Sequence, residues 1–133
     1  MNKEAIYTNQ APKPLGAYSQ AIKANNMLFI AGQIPLNPAT GAIEGKTISE
    51  QARVVLEHIG AILEASGLTF ADVVKSDVFL TNIGDSRAVN EVYTEFFSRD
   101  PKPARVTVEV SKLPMGSMVE ISCIAVFSRE ASK

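Results

Sequence analysis

The sequence predicts an α+β domain, a mixed β-sheet with two helices packed on one face, and three observations carry that prediction. From Ile48 the apolar residues Ile48, Ala52, Val55, Leu56, Ile59, Ile62 and Leu63 recur at three-four spacing, which lays one apolar stripe along a helix. In the last third the spacing changes to two. Val106, Val108 and Val110 alternate with Arg105, Thr107 and Glu109, and Val119, Ile121, Cys123 and Ala125 alternate with Glu120, Ser122 and Ile124. Along the whole chain the segments read strand, strand, helix, strand, helix, strand, strand, an order that a mixed sheet with both helices on one side satisfies.

Met27 to Gln33 is a short apolar run closed by Pro35 and the turn Asn37-Pro38-Ala39-Thr40-Gly41, and it reads as a buried strand. Ala17 to Lys23 is its expected hairpin partner. The first helix has both ends written in: Thr47 with Glu50 three residues on forms a capping box, and Gly67 is the stop. Asp72 to Thr81, rich in Val and Phe, is a central strand. Asp85 is the expected cap of a second helix that turns Val89, Val92, Tyr93, Phe96 and Phe97 inward, and Pro101 ends that element.

The last two strands meet around Pro114-Met115-Gly116. A simple hairpin there pairs Val110 with Glu120 and leaves Arg105 roughly 15 Å away at about 3.3 Å per residue. Ile124, Val126 and the Leu28/Ile30 set cannot all lie beneath two helices, so the other face of the sheet is expected to be buried by self-association.

Length and charge narrow the function. With 133 residues, 46% hydrophobic and 20% charged, the chain suits one domain, residues 1–133, with one core. Its 13 basic and 14 acidic residues give a net charge of -1, with no basic footprint for nucleic acid or anionic lipid. Cys123 is the single cysteine, which rules out an intrachain disulfide and suits a reducing, cytoplasmic setting. Met1 to Lys13 lacks the apolar core of a signal peptide, and no apolar run reaches membrane-spanning length.

One His and one Cys cannot assemble a His/Cys metal site, and there is neither a Gly-rich phosphate loop nor a nucleophile elbow. No metal and no cofactor is therefore expected. His58, at the edge of the first helix's stripe, reads as a half-exposed helix residue, and Cys123 as a buried, inert thiol.

Two residues stand out. Arg105 opens a strand directly after Pro101, Pro103 and Ala104, so restrained backbone fixes its direction, and a guanidinium offers paired donors for a small carboxylate. The plainer reading is a strand-end arginine in a surface ion pair. Glu120 interrupts an apolar strand and either faces solvent or stands in a cleft, where burial would raise its pKa and make it a general acid or base. If both serve one ligand, Arg105 of one subunit must face Glu120 of another. Tyr18 follows Gly16 in a loop and either lines a pocket or simply packs.

Pro103-Ala104-Arg105-Val106-Thr107-Val108-Glu109-Val110, then Leu113-Pro114 and Val119-Glu120-Ile121, closely resembles the signature of the RidA family, the enamine/imine deaminases also called the YjgF type. Gly16-Ala17-Tyr18-Ser19-Gln20, Gly32-Gln33-Ile34-Pro35 and Val89-Asn90-Glu91-Val92-Tyr93 extend the resemblance over nearly the whole chain. It implies a chorismate-mutase-like fold with a mixed six-stranded sheet, assembled as a barrel-like homotrimer with clefts between subunits. It also implies cofactor-independent hydrolysis of 2-imino or 2-enamino acids, such as 2-aminoacrylate released by pyridoxal-phosphate dehydratases, to 2-oxo acids and ammonia: a 2-iminobutanoate/2-iminopropanoate deaminase. By position, Arg105 would bind the substrate carboxylate, Glu120 would orient or activate water, and Tyr18, Gly32, Asn90 and the backbone at Thr107 would shape the cleft.

The chain departs from the family where Thr107 stands for a frequent Cys, Ala31 for Ser and Ala17 for Pro. The departures bear on redox sensitivity and substrate preference. Two competing readings are a non-catalytic module that binds small carboxylates through Arg105, and a ribonuclease or translation inhibitor. The acidic balance and the lack of a histidine pair disfavour the last.

Overall fold

A computed structural model describes residues 2–128; Met1 and residues 129–133, the ends of the expected 1–133 domain, lie outside the described residues. The strands are β1 (Lys3–Ile6), β2 (Ala21–Ala24), β3 (Met27–Gln33), β4 (Val73–Leu80), β5 (Ala104–Glu109) and β6 (Val119–Val126), with helices α1 (Ile48–Ala65) and α2 (Ser86–Phe96). They form one six-stranded sheet in the order β1-β2-β3-β6-β4-β5. All neighbours are antiparallel except β4 and β5, which run parallel.

The hairpin partner of β3 begins at Ala21, four residues later than expected, because residues 17–20 turn away to wall a cavity. Asn25 takes the left-handed conformation of that hairpin's turn, at φ 56°, which asparagine tolerates better than most residues. Edge strand β1 has no apolar alternation to announce it. Its four residues are held by pairing with β2.

The expected hairpin between the last two strands is not formed. Strand β4 lies between them, and Val110 donates its N–H to Leu80 rather than pairing with Glu120. The cause lies in the connection: α2 carries the chain from β4 across one face and returns β5 parallel to β4. That leaves the centre of the sheet to β6, whose alternate residues Val119, Ile121, Cys123 and Ala125 are all buried.

α1 starts as the sequence predicts. Thr47 Oγ1 accepts from Glu50 N at 3.1 Å, and Glu50 Oε1 accepts from Thr47 N at 3.2 Å. Gly67, at φ +79°, takes the left-handed position after its end. The expected Asp85 cap does not form. Its backbone is already helical, because the chain enters α2 through a 3₁₀ turn, Ile83–Asp85, and the carboxylate makes no capping bond. Asn82 caps that turn instead, accepting from Gly84 N at 2.9 Å.

The core lies between helices and sheet, where Leu56, Ile59, Ile62 and Leu63 of α1 and Val92 of α2 are buried with Leu80 and Ile121. Leu28 and Ile30, expected to compete for cover, are both buried there. The opposite face carries Phe29, Val106 and Val108, exposed at 41%, 46% and 38%. In register with them are Ile124 beside Phe29 and Asp77 beside Val106. An apolar face of that kind is open to association.

His58 also corrects its expectation. It is buried, not half-exposed, because the loop after β3 folds over α1 and Leu36 O accepts its Nε2–H at 2.6 Å. Among the described residues no helix is long and apolar enough to cross a membrane.

Candidate functional site

The site comes in two halves. Glu120 stands on β6 opposite Phe79, on the sheet face away from the helices. Its carboxyl borders a cavity of about 400 Å³ whose lining includes Tyr18, Ala31, Gly32, Ile34 and Pro114. Burial holds the carboxyl above the ordinary carboxylate range, so part of its proton affinity comes from the cavity itself.

The β3–β6 register shifts between Ile30 and Gln33, which bulges Ala31 and Gly32 toward Glu120. Gly32 is needed for close approach rather than for an unusual turn. A Cβ there would meet Glu120 Cδ at 2.9 Å as well as its carboxylate oxygen. Tyr18 is 51% exposed at the cavity edge, with its hydroxyl accepting from Leu15 N at 3.2 Å.

Sequence reasoning did not single out Gln20, which builds the opposite wall. Its Nε2 donates to the carbonyls of Thr8, Ala11 and Pro12 at 3.0, 3.2 and 2.9 Å, and its Oε1 accepts from Thr8 N at 2.7 Å. One buried amide thereby pins an irregular segment that has no sheet partner of its own. Its one signal in sequence was its place at the end of the Gly16-Ala17-Tyr18-Ser19-Gln20 match, inside what was expected to be a strand from Ala17 to Lys23.

The second half is a cleft of about 300 Å³ lined by Asn90, Tyr93, Thr94, Phe97, Lys102, Pro103 and Arg105. Arg105 leaves β5 on the helix side. Its Nη1 donates to Asn90 Oδ1 at 2.9 Å, and its guanidinium lies 4.6 Å from the centre of the Tyr93 ring. Among the described residues Arg105 takes part in no ion pair, whereas neighbouring Lys102 is engaged by Asp100 at 2.7 Å. Arg105 is thus held by neutral groups, with no carboxylate paired to its charge among the described residues.

Thr107 lies two residues farther along the same face, opposite Val78, and does not line this cleft. Tyr18, Gly32 and Glu120 therefore share one cavity, Asn90 and Arg105 share the other, and Thr107 stands beside the second. In the sheet Arg105 pairs with Ser76 and Glu120 with Phe79, on opposite faces. Three residues along and two strands across put them about 14 Å apart by standard strand spacings. The sequence expected the same separation from a different geometry.

Among the described residues no group of three or more His, Cys, Asp or Glu side chains could hold a metal ion. Cys123 faces the core, and burial pushes its thiol up to about 12, far from a working nucleophile. The remaining chemistry is that of a guanidinium able to grip a carboxylate and a half-buried carboxyl able to handle a proton.

A family model described as Endoribonuclease L-PSP matches residues 8–127. A RutC family protein of Pyrococcus horikoshii is 56% identical over 123 residues, which cover 92% of this chain and 97% of that protein. The chloroplastic Reactive Intermediate Deaminase A of Arabidopsis thaliana is 43% identical over 125 residues, 94% of this chain and 66% of that one. The crystal structure of E. coli TdcF with bound serine superposes with a TM-score of 0.87 at 40% identity, covering 94% of this chain and 99% of that one.

Proposed function

The chain belongs to the Endoribonuclease L-PSP family, the YjgF/RidA family, and from that premise we propose that it hydrolyses reactive 2-imino and 2-enamino acids to 2-oxo acids and ammonia. The observation that carries the reading is the pairing of a guanidinium held by neutral groups with a carboxyl whose proton affinity burial raises, each in its own cleft. They stand on opposite faces of one sheet, so one small ligand reaches both only between copies of the chain. The apolar face of Phe29, Val106 and Val108 supplies a surface for that assembly, which we take to be a homotrimer.

In this mechanism Arg105 holds the substrate carboxylate and orients C2 of the imine toward the Glu120 cavity. The ionised Glu120 carboxylate accepts a proton from water as the water oxygen bonds to C2 of the protonated imine and the C=N electron pair moves to nitrogen, giving a tetrahedral 2-amino-2-hydroxy acid. The same carboxyl then returns its proton to the amino nitrogen. The C–N bond breaks, the hydroxyl gives its proton to the Glu120 carboxylate as it closes to the 2-oxo group, and that proton passes to the departing ammonia, which leaves as ammonium. A substrate carbon that is already electrophilic needs positioning more than a covalent nucleophile.

A relative of the same fold binds serine, a small molecule that carries a carboxylate beside an amino-bearing carbon. The Thr107 departure leaves the proposed chemistry intact, since no step uses a thiol. Ala31 lines the Glu120 cavity, so its missing hydroxyl bears on substrate preference. The physiological source of substrate would be pyridoxal-phosphate dehydratases, in the cytoplasm.

The test couples the protein to a dehydratase that generates 2-aminoacrylate and follows oxo-acid release, with no-protein and Arg105→Ala controls. Acceleration that disappears with Arg105→Ala supports the assignment. Carboxylate binding without acceleration favours a non-catalytic carboxylate-binding module. The family's description favours a third reading, RNA cleavage, and RNA degradation that persists in Arg105→Ala and Glu120→Gln would support it over imine hydrolysis.

A further inference from the structure

β4 faces the helices with Val78 and Leu80, and an apolar residue at the third position would complete the pattern. Instead it has Ser76, 0% exposed. A buried hydroxyl without a partner is costly, so the position needs an explanation. Its partner is the hydroxyl of Tyr93, 2.5 Å away on α2, and Tyr93 is itself buried.

Ser76 is also the β4 residue in direct register with Arg105. The strand that fixes the Arg105 backbone therefore also fixes, through one hydroxyl pair, the ring beneath its guanidinium. Phe97 also packs on that ring, stacked at 4.2 Å and 24°. The Arg105 guanidinium lies over the ring, 4.6 Å from its centre, and Asn90 holds one of its nitrogens. Burial holds the Tyr93 phenol above its ordinary value, so the pair stays neutral at working pH.

We propose that Ser76 and Tyr93 form a positioning pair for the carboxylate-binding site: their hydroxyl bond locks the ring, and the ring and Asn90 hold the Arg105 guanidinium at one height and angle. An all-apolar contact would fill the same volume but would let the ring slide, since dispersion has little directional preference, whereas a hydroxyl pair has a specific geometry. The inference rests on the reading of Arg105 as the carboxylate-binding residue.

The test measures 2-oxobutanoate binding by NMR titration, together with kcat and KM for imine hydrolysis. It compares the wild type, Tyr93→Phe, Ser76→Ala, Ser76→Thr and the Arg105→Lys background, with circular dichroism to confirm folding. Tyr93→Phe and Ser76→Ala each weaken binding and raise KM by about fivefold while kcat stays within about twofold, the scale of one neutral hydrogen bond. Ser76→Thr keeps a hydroxyl and restores KM. In the Arg105→Lys background, which keeps a charge for weaker 2-oxobutanoate binding but not the planar guanidinium, Tyr93→Phe has no further effect on binding, because the pair acts through the guanidinium.

Unchanged binding and KM in both single variants overturns the proposal. So does an equal loss of binding in the wild-type and Arg105→Lys backgrounds, which would mark a general packing role. A wild type that neither binds 2-oxobutanoate nor hydrolyses the imine overturns the proposed function itself, and the pair's role with it.

Discussion

A Cβ atom on Gly32 would overlap Glu120 Oε2, so the side chain that Gly32 lacks is the space the carboxylate occupies. Two strands of the sheet meet there at a bulge, and the bulge aims one residue of β6 into a cavity built mostly from the other end of the chain.

Gly32→Ala should therefore remove activity without unfolding the protein. The methyl group forces the carboxylate out of its place, and a displacement of about 1 Å is enough to cost about a hundredfold in rate. The overpacking itself should cost about 1–2 kcal/mol. Steady-state kinetics and thermal melts read both effects, and wild-type kcat/KM in a folded variant would disprove the close-approach role.

Glu120 trades stability for function. Its folded pKa is raised, so the folded state holds the proton more tightly than the unfolded chain does. Its contribution to stability is full below the unfolded value, about 4.5, and is lost as pH rises through the folded value. At pH 7, above the unfolded value, burial of this carboxyl is thus a burden that Glu120→Gln relieves. The variant should melt higher at pH 7, with the gap closing toward pH 4, while its imine hydrolysis falls about a hundredfold or more. A variant that melts lower than wild type at pH 7 would contradict the burial argument.

Gln20→Leu leaves the buried groups of the 8–12 segment without their amide partner. Loss of that set should lower stability by about 2–3 kcal/mol in urea unfolding. The Glu120 cavity loses its fixed wall, so KM should rise more than kcat falls. Native-state hydrogen exchange at Thr8 N, which donates to Gln20 Oε1 at 2.7 Å, gives a local readout. Unchanged protection there would count against the clamp.

His58 should give the protein an acid-side weakness. Burial lowers its pKa from the ordinary 6.5, while the bond to Leu36 O and the charges of Glu44 and Glu57 act the other way. A depressed folded pKa means that its stability contribution is present above about 6.5 and is lost as pH falls through the lower folded value. His58→Gln, which retains a donor for Leu36 O without a titrating ring, should flatten the fall in melting temperature between pH 6.5 and 5. Parallel curves for wild type and variant would rule out the residue as the cause.

Much of the fold was legible in the chain. The capping box of Thr47 and Glu50, the apolar stripe from Ile48 to Leu63 and the strand Met27–Gln33 all appear where the spacing puts them. These are local features, set by side-chain periodicity and by bonds between residues a few positions apart. Asp85 shows the limit of that logic. The residue type suits a cap, but the backbone arrives already helical, and nothing in the local pattern announces the 3₁₀ turn before it.

Sheet order was not legible, because alternation tells which residues share a face and says nothing about which strand lies alongside. The β5–β6 hairpin was the cheapest closure by loop length, yet the α2 crossover set β5 beside β4 instead.

The sequence by itself determined the chemical types at the site, a guanidinium fixed after prolines and a carboxyl within an apolar strand, since those depend on identity and alternation. Tertiary structure alone decided their environments. It gave Glu120 a cavity and a raised proton affinity, gave Arg105 neutral partners and no carboxylate among the described residues, and set the two on opposite faces of the sheet. Burial, desolvation and strand register arise from contacts between residues far apart in the chain, and no local pattern encodes those distances.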